Sequence, residues 1–207
     1  MYTLYYSPGA CSMSVHITLE ELGAEFEPVR VRISEGEHKK PEYLKINPRG
    51  QVGALMTPDG LMAENGAMII YLNDKHGHKV IPAEGYERAK ALQWLLFANS
   101  TLHPAYAKVG FARSLDVGDE AIAKARAGVQ AKWDEVEEHL EREGTAFLAG
   151  DQATAGDIYA AVCANWSPPE HMPKFGPKTQ NLLKSVVARP AYQRAIATEE
   201  IEYIAAA

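Results

Sequence analysis

Cys11 has the most direct chemical reading in this chain. It follows the break Ser7-Pro8-Gly9 and precedes Ser12 to Leu22, which carries Val15, Leu19 and Leu22 at helical spacing before Gly23. A sulfur at that point faces the unpaired backbone N–H groups and the positive end of a helix dipole, both of which favour an anion. A free cysteine titrates near ~8.5, and a helix start is a recognised way of lowering that value, so a thiolate is expected there. The competing reading is a small buried hydrophobe, the one adopted for Cys163. There is no Cys-x-x-Cys, which disfavours dithiol cycling within the turn. Two cysteines make neither a disulfide framework nor a zinc-ligand spacing, and no metal is expected.

His103 stands eleven residues after Leu92, at almost the same angle on a helix, with Asn99 one turn earlier, so it points inward. A lone histidine on an apolar face is also a common hydrogen-bonded core residue, and both readings stay open. Pro104 directly follows; inside a helix it removes a hydrogen bond to Ser100 and bends the axis, which bears on where His103 aims. Glu64 and Asn65 open a further predicted helix, where they serve either as dipole-matched cap or as anion receivers. Thr154-Ala155-Gly156-Asp157 has capping-box spacing and a structural reading.

These groups must be carried by two kinds of scaffold. Tyr2 to Tyr6 is β-prone, and Phe26 to Ile33 alternates Val29, Val31 and Ile33 with arginines, which with the first helix makes a βαβ unit. After the turn Asn47-Pro48-Arg49-Gly50, two short apolar runs flank Pro58-Asp59-Gly60 as a hairpin, and Glu64 to Lys75 reads as a helix. The order β-α-β-α-β-β-α is that of a thioredoxin-like α/β domain, placed at 1–78. From Tyr86 the period is helical: Leu92, Leu95, Leu96, Asn99 and His103 share one face, and Ile122, Ala125, Val129, Trp133, Val136 and Leu140 another. Residues 86–207 are therefore expected to form an all-α helical bundle domain, with His76 to Pro82 as connector.

The bulk numbers narrow the partners. The 207 residues, 46% hydrophobic and 23% charged, suit an ordinary folded protein, and the net charge of −6 leaves no basic field for nucleic acid. Apolar runs such as Ala67 to Leu72 are far short of the roughly 20 residues that cross a bilayer, so no membrane partner is expected. The N-terminus lacks a basic start and apolar centre, and a cytoplasmic location is expected.

Four segments resemble the glutathione S-transferase family: Tyr6 to Ser12, Asn47 to Val52, Glu64 to Leu72, and Phe147 to Asp151 with Thr154 to Asp157. Their order and spacing match across nearly the whole chain, and the first is similar to the bacterial beta class, where a cysteine occupies this turn and a helical-domain histidine faces it. The resemblance implies a glutathione transferase, with glutathione as co-substrate, a small electrophile as partner, a homodimer and a detoxification role. It implies Cys11 and His103 as catalytic residues and Ala10, Gln51, Val52, Glu64 and Asn65 as binding residues. Glu64 would meet the ammonium and Asn65 the carboxylate of the γ-glutamyl end, and Val52 would pair with the cysteinyl backbone. An anionic sulfur at the helix start belongs either to Cys11 or to glutathione. Tyr106, Phe111 and Trp166 are either walls of the second-substrate site in the helical domain or core. Two further readings are glutathione-dependent thiol–disulfide exchange or peroxide reduction through a Cys11 mixed disulfide, and a ligand-binding protein without turnover. The family normally has a cis-proline after the valine; here Gly53 neither locks φ nor favours a cis bond, so weaker preorganisation is expected.

Overall fold

A computed structural model describes residues 1–205. The chain divides into two compact units: Met1–Ala83 with Arg189–Glu202, and Glu84–Ala188 with the residues from Tyr203 on. The linear division expected at residues 78 and 86 differs in one respect: a late segment returns to the first unit.

In the first unit, β1 (Tyr2–Tyr6), α1 (Ser12–Leu22), β2 (Phe26–Arg30), the single-turn α2 (Pro41–Leu44), β3 (Ala54–Thr57), β4 (Gly60–Ala63) and α3 (Asn65–Lys75) follow in order. The strands form one sheet in the order β2-β1-β3-β4. β1 lies parallel to β2, with Leu4 opposite Pro28, and antiparallel to β3, with Leu4 opposite Leu55. Residues of period two on β1 and β3 supply Leu4 and Leu55 to the core, and Met68, Ile69 and Leu72 of α3 complete it. β2 is shorter than its alternation predicts: it stops at Arg30, and Ile33 is 41% exposed in a 3₁₀ turn. The hairpin is as expected, with Thr57 Oγ1 accepting from Asp59 N–H at 3.1 Å and donating to the Gly60 carbonyl at 2.8 Å.

α1 is buried almost all round, although its pattern reads as one-sided. It packs on β1, α3 and the returning α9 (Pro190–Glu199), so Ser12, Ser14, His16 and Thr18 are buried beside the aliphatic face. Their hydroxyls are satisfied locally: Thr18 Oγ1 donates to the Ser14 carbonyl at 2.8 Å, Ser14 Oγ to the Cys11 carbonyl at 2.7 Å and Ser12 Oγ to the Ser7 carbonyl at 3.4 Å. His16 Nδ1 meets Glu199 Oε1 at 2.8 Å with both side chains fully buried. The connector is pinned by Asn73, whose Oδ1 accepts from Val80 N–H and Ile81 N–H and whose amide donates to the Ile81 carbonyl at 2.9 Å.

The second unit comprises α4 (Gly85–Phe97), α5 (His103–Ser114), α6 (Asp119–Glu143), α7 (Ala155–Ala164) and α8 (Pro177–Val187). Val129, Trp133, Val136 and Leu140 of α6 are buried as their spacing predicts. The buried stripe of α4 is instead Ala91, Trp94 and Leu95, and Leu96 is 50% exposed. The single-face reading from Leu92 to His103 fails because a π-helical segment, Ala98–Leu102, separates α4 from α5 and resets the angular count. α7 crosses α4 closely at Gly156, where a Cβ would lie 2.8 Å from the Trp94 carbonyl carbon and 2.9 Å from Leu95 N.

Candidate active site

Cys11 is the N-cap residue of α1, with φ −56° and ψ −26°. The turn before it is closed by Ala10 N–H on the Ser7 carbonyl at 3.0 Å, and Ser7 N–H donates to Ser12 Oγ at 3.2 Å. Gly9 takes φ +66°, which a residue without Cβ adopts freely, and its N–H donates to Glu199 Oε2 at 2.8 Å. The turn that presents Cys11 is thus anchored from within and by the last residue of α9.

The Cys11 thiol donates to the Val52 carbonyl at 3.7 Å, and the Asn65 side chain also hydrogen-bonds the sulfur. Burial pushes the thiol above its ordinary value. Asn65 and the backbone N–H groups of Ser12, Cys11 and Gly53 pull it down without offsetting burial. Burial therefore favours the neutral thiol at Cys11 and opposes the thiolate that its place at a helix start favours.

Val52 precedes Gly53 through a cis peptide bond. A Cβ on residue 53 would stand 3.0 Å from Ser12 Cβ, which makes this a tight approach of the loop to α1. The backbone leading into Val52 is held by Tyr43 Oη and Asn47 Nδ2, both donating to the Gln51 carbonyl at 2.7 Å. That is the work of the short α2: it seats Tyr43 under the loop. Gln51 itself is exposed.

Glu64 is the N-cap of α3 and has φ +72°, a left-handed conformation uncommon for a residue with a Cβ. Such local strain clusters at ligand-binding positions. Its exposed carboxylate pairs with Arg49, a residue that sequence reasoning placed only in a turn. Asn65 is the first residue of the helix rather than its cap, and it is buried. The first unit therefore brings Cys11, Val52 and Asn65 into contact, with Ala10, Gln51 and Glu64 as their chain neighbours.

His103 belongs to the second unit, where it opens α5. Its N–H donates to the Ala98 carbonyl, an i→i−5 bond of the π segment. Pro104 falls in the first turn of α5, where a backbone N–H is dispensable, so the wide turn absorbs the proline instead of a kink. His103 Nδ1 lies 3.0 Å from Tyr159 Oη of α7, and the Trp166 ring stands edge-on to the imidazole at 4.9 Å. Burial pushes the histidine below its ordinary value, leaving it neutral at pH 7. Tyr159 was missed by sequence reasoning, and nothing in the local pattern of α7 marks it. Of the three candidate wall residues, Tyr106 is buried and accepts from Trp133 Nε1–H at 2.9 Å, a core role. Trp166 is half-buried against His103 and Tyr106, and Phe111 is 65% exposed.

Residues 1–74 match the glutathione S-transferase N-terminal domain and residues 119–172 the glutathione S-transferase C-terminal domain. Glutathione S-transferase GST-4.5 of Xanthomonas campestris pv. campestris is 31% identical over 171 residues, covering 79% of this chain and 81% of that protein. The chain belongs to the glutathione S-transferase family. Glutathione S-transferase GstA of Escherichia coli O157:H7 is 29% identical over 215 residues, covering 96% of this transferase and 99% of its own length. Among solved structures, the ternary complex of BphK, a bacterial GST, has 35% identity and a TM-score of 0.84, covering 96% of this chain and all 100% of that one. A sphingomonad glutathione S-transferase complexed with glutathione has 32% identity and a TM-score of 0.84 over 97% of this chain and 100% of that one. The first unit of this transferase has the thioredoxin-like order and the second is helical, as the resemblance implied. Among the described residues no group of three His, Cys, Asp or Glu side chains is placed to hold a metal ion, and no helix is long and apolar enough to cross a membrane.

Proposed function

We infer that this transferase conjugates reduced glutathione to small apolar electrophiles, with the glutathione thiolate as nucleophile and Cys11 as a neutral partner. The observation that carries this assignment of nucleophile is the Cys11 environment: a thiol kept protonated by burial and already used as a donor, toward the Val52 carbonyl. In the reaction the glutathione S–H loses its proton to solvent, the thiolate forms a bond to the electrophilic carbon, and the leaving group departs with its electron pair. When glutathione binds, the Cys11 S–H turns from the Val52 carbonyl to the anionic sulfur and stabilises it as a donor at the positive end of the α1 dipole. Glu64 and Asn65 at the start of α3 receive the γ-glutamyl end, and Val52 pairs with the cysteinyl backbone by strand-like addition. Neutral His103 supports the thiolate as a hydrogen-bond donor, and Trp166 lines the apolar side of the second substrate. This combination of turn cysteine and helical-domain histidine is the beta-class pattern.

A Cys11 mixed disulfide is the weaker reading, because exchange needs an attacking thiolate and this sulfur is held neutral. The two are separated by glutathione-agarose retention and conjugation of 1-chloro-2,4-dinitrobenzene with wild type, Cys11→Ala and His103→Ala. Loss of one donor of several predicts that Cys11→Ala is retained on the resin and loses about tenfold in kcat, with a comparable loss for His103→Ala. Complete loss of turnover in Cys11→Ala, with one glutathione found covalently on the wild-type residue, overturns the assignment of nucleophile.

The protein further acts as a homodimer. Tyr86 and Leu96 of α4, 75% and 50% exposed, are large apolar side chains suited to burial against a second copy. Light scattering should give twice the chain mass of 22.7 kDa; a monomer at micromolar concentration refutes this.

A further inference from the structure

We propose that Tyr159 is a positioning residue for His103: its phenolic O–H donates to Nδ1 and holds the imidazole as the Nε2–H form, so the ring presents a donor to the sulfur chemistry. The proposal rests on the reading of His103 as support for the glutathione thiolate.

Three features of the second unit carry it. Nδ1 and the Tyr159 oxygen are 3.0 Å apart, and the tyrosine is fully buried. A neutral imidazole carries one ring proton, and the protonation of one nitrogen is set by the bond the other makes. A phenol is a stronger acid than a neutral imidazole, and the imidazole nitrogen is the stronger base, so O–H to Nδ1 is the favoured direction. The platform is also rigid. Tyr159 stands two residues after Asp157, whose carboxylate closes the first turn of α7 through Thr154. On the histidine side, the π-type bond to Ala98 sets the backbone and the Trp166 edge at 4.9 Å limits rotation of the ring. Among the described residues no carboxylate is found at either ring nitrogen of His103, so the hydroxyl rather than a charge selects the tautomer.

Two measurements on the full-length protein test this. In ¹⁵N-labelled wild type, long-range ¹H–¹⁵N correlation of the His103 ring, assigned by its loss in His103→Ala, should show a protonated Nε2 and an unprotonated Nδ1. A protonated Nδ1 overturns the proposal. Tyr159→Phe keeps the buried ring and removes the hydroxyl; kcat should fall about tenfold with KM for glutathione within about twofold, and the same change in His103→Ala should add nothing. Unchanged kcat in Tyr159→Phe beside a defective His103→Ala, or a loss that adds to that of His103→Ala, overturns it. Should His103→Ala retain full turnover, the role given to His103 fails, while the wild-type ring spectrum still decides whether Tyr159 sets the tautomer.

Discussion

Replacing Asp157 by alanine is expected to lower the melting temperature by roughly 8 to 16 °C, far beyond the loss of an ordinary cap. A capping residue is worth about 1 kcal/mol, but this one does more than cap. Asp157 is fully buried, accepts from Thr154 N–H at 2.7 Å and Thr154 Oγ1 at 2.9 Å, and with its other oxygen accepts from Leu148 N–H at 2.9 Å. Alanine leaves two buried N–H groups and a hydroxyl unpaired. At about 1 to 3 kcal/mol for each unpaired group, the sum is about 4 kcal/mol, and a chain of this size loses about 2 to 4 °C per kcal/mol. A decrease under about 3 °C by calorimetry would show that the loop at Leu148 does not depend on this carboxylate.

The same residue carries a pH signature. Burial raises its pKa from 3.8 to about 6, against four donors, the fourth being its own backbone N–H. The folded value exceeds the unfolded one, so the native state binds the proton more tightly. The resulting stabilisation is complete below about pH 4 and is lost as the pH rises through about 6. The wild type should therefore gain on Asp157→Asn, by about 2 to 3 kcal/mol in total at 1.36 kcal/mol per unit, as the pH falls across that window. A difference between the two proteins that stays flat from pH 7 to pH 5 contradicts this.

Glu199→Ala is expected to cost about 3 to 5 kcal/mol and, unlike Asp157→Ala, to reduce glutathione retention in the molecules that remain folded. Glu199 and His16 are fully buried partners at 2.8 Å, and removing one member of such a pair strands the other. The second Glu199 oxygen accepts from Gly9 N–H, so the substitution also releases the turn that presents Cys11. Glu199→Gln keeps a carbonyl oxygen for Gly9, and should recover most of the retention but less of the stability. Equal retention in wild type and Glu199→Ala, measured below the melting temperature of the variant, would show that the turn holds its shape without α9.

What the sequence by itself determined was everything that local chemistry writes in order. The βαβ start, the hairpin at Pro58-Asp59-Gly60, the helix after Glu64, the α6 stripe and the Thr154–Asp157 box all follow from period, turn residues and capping preferences among near neighbours. Cys11 at the start of α1 is legible for the same reason. Tertiary structure decided what distant segments do to those residues. Burial of a sulfur that meets Val52, 41 residues away along the chain, pushes the Cys11 thiol up, against the pull of Asn65 from 54 residues away. The return of α9 helps to bury α1 almost all round and ties Glu199 to Gly9, a contact spanning 190 residues. The π segment before His103 overrides a helical wheel that assumes 3.6 residues per turn, and Tyr159 meets the imidazole only because α7 packs beside it. Each of these depends on desolvation or on a partner remote in sequence, and neither leaves a periodic trace in the chain.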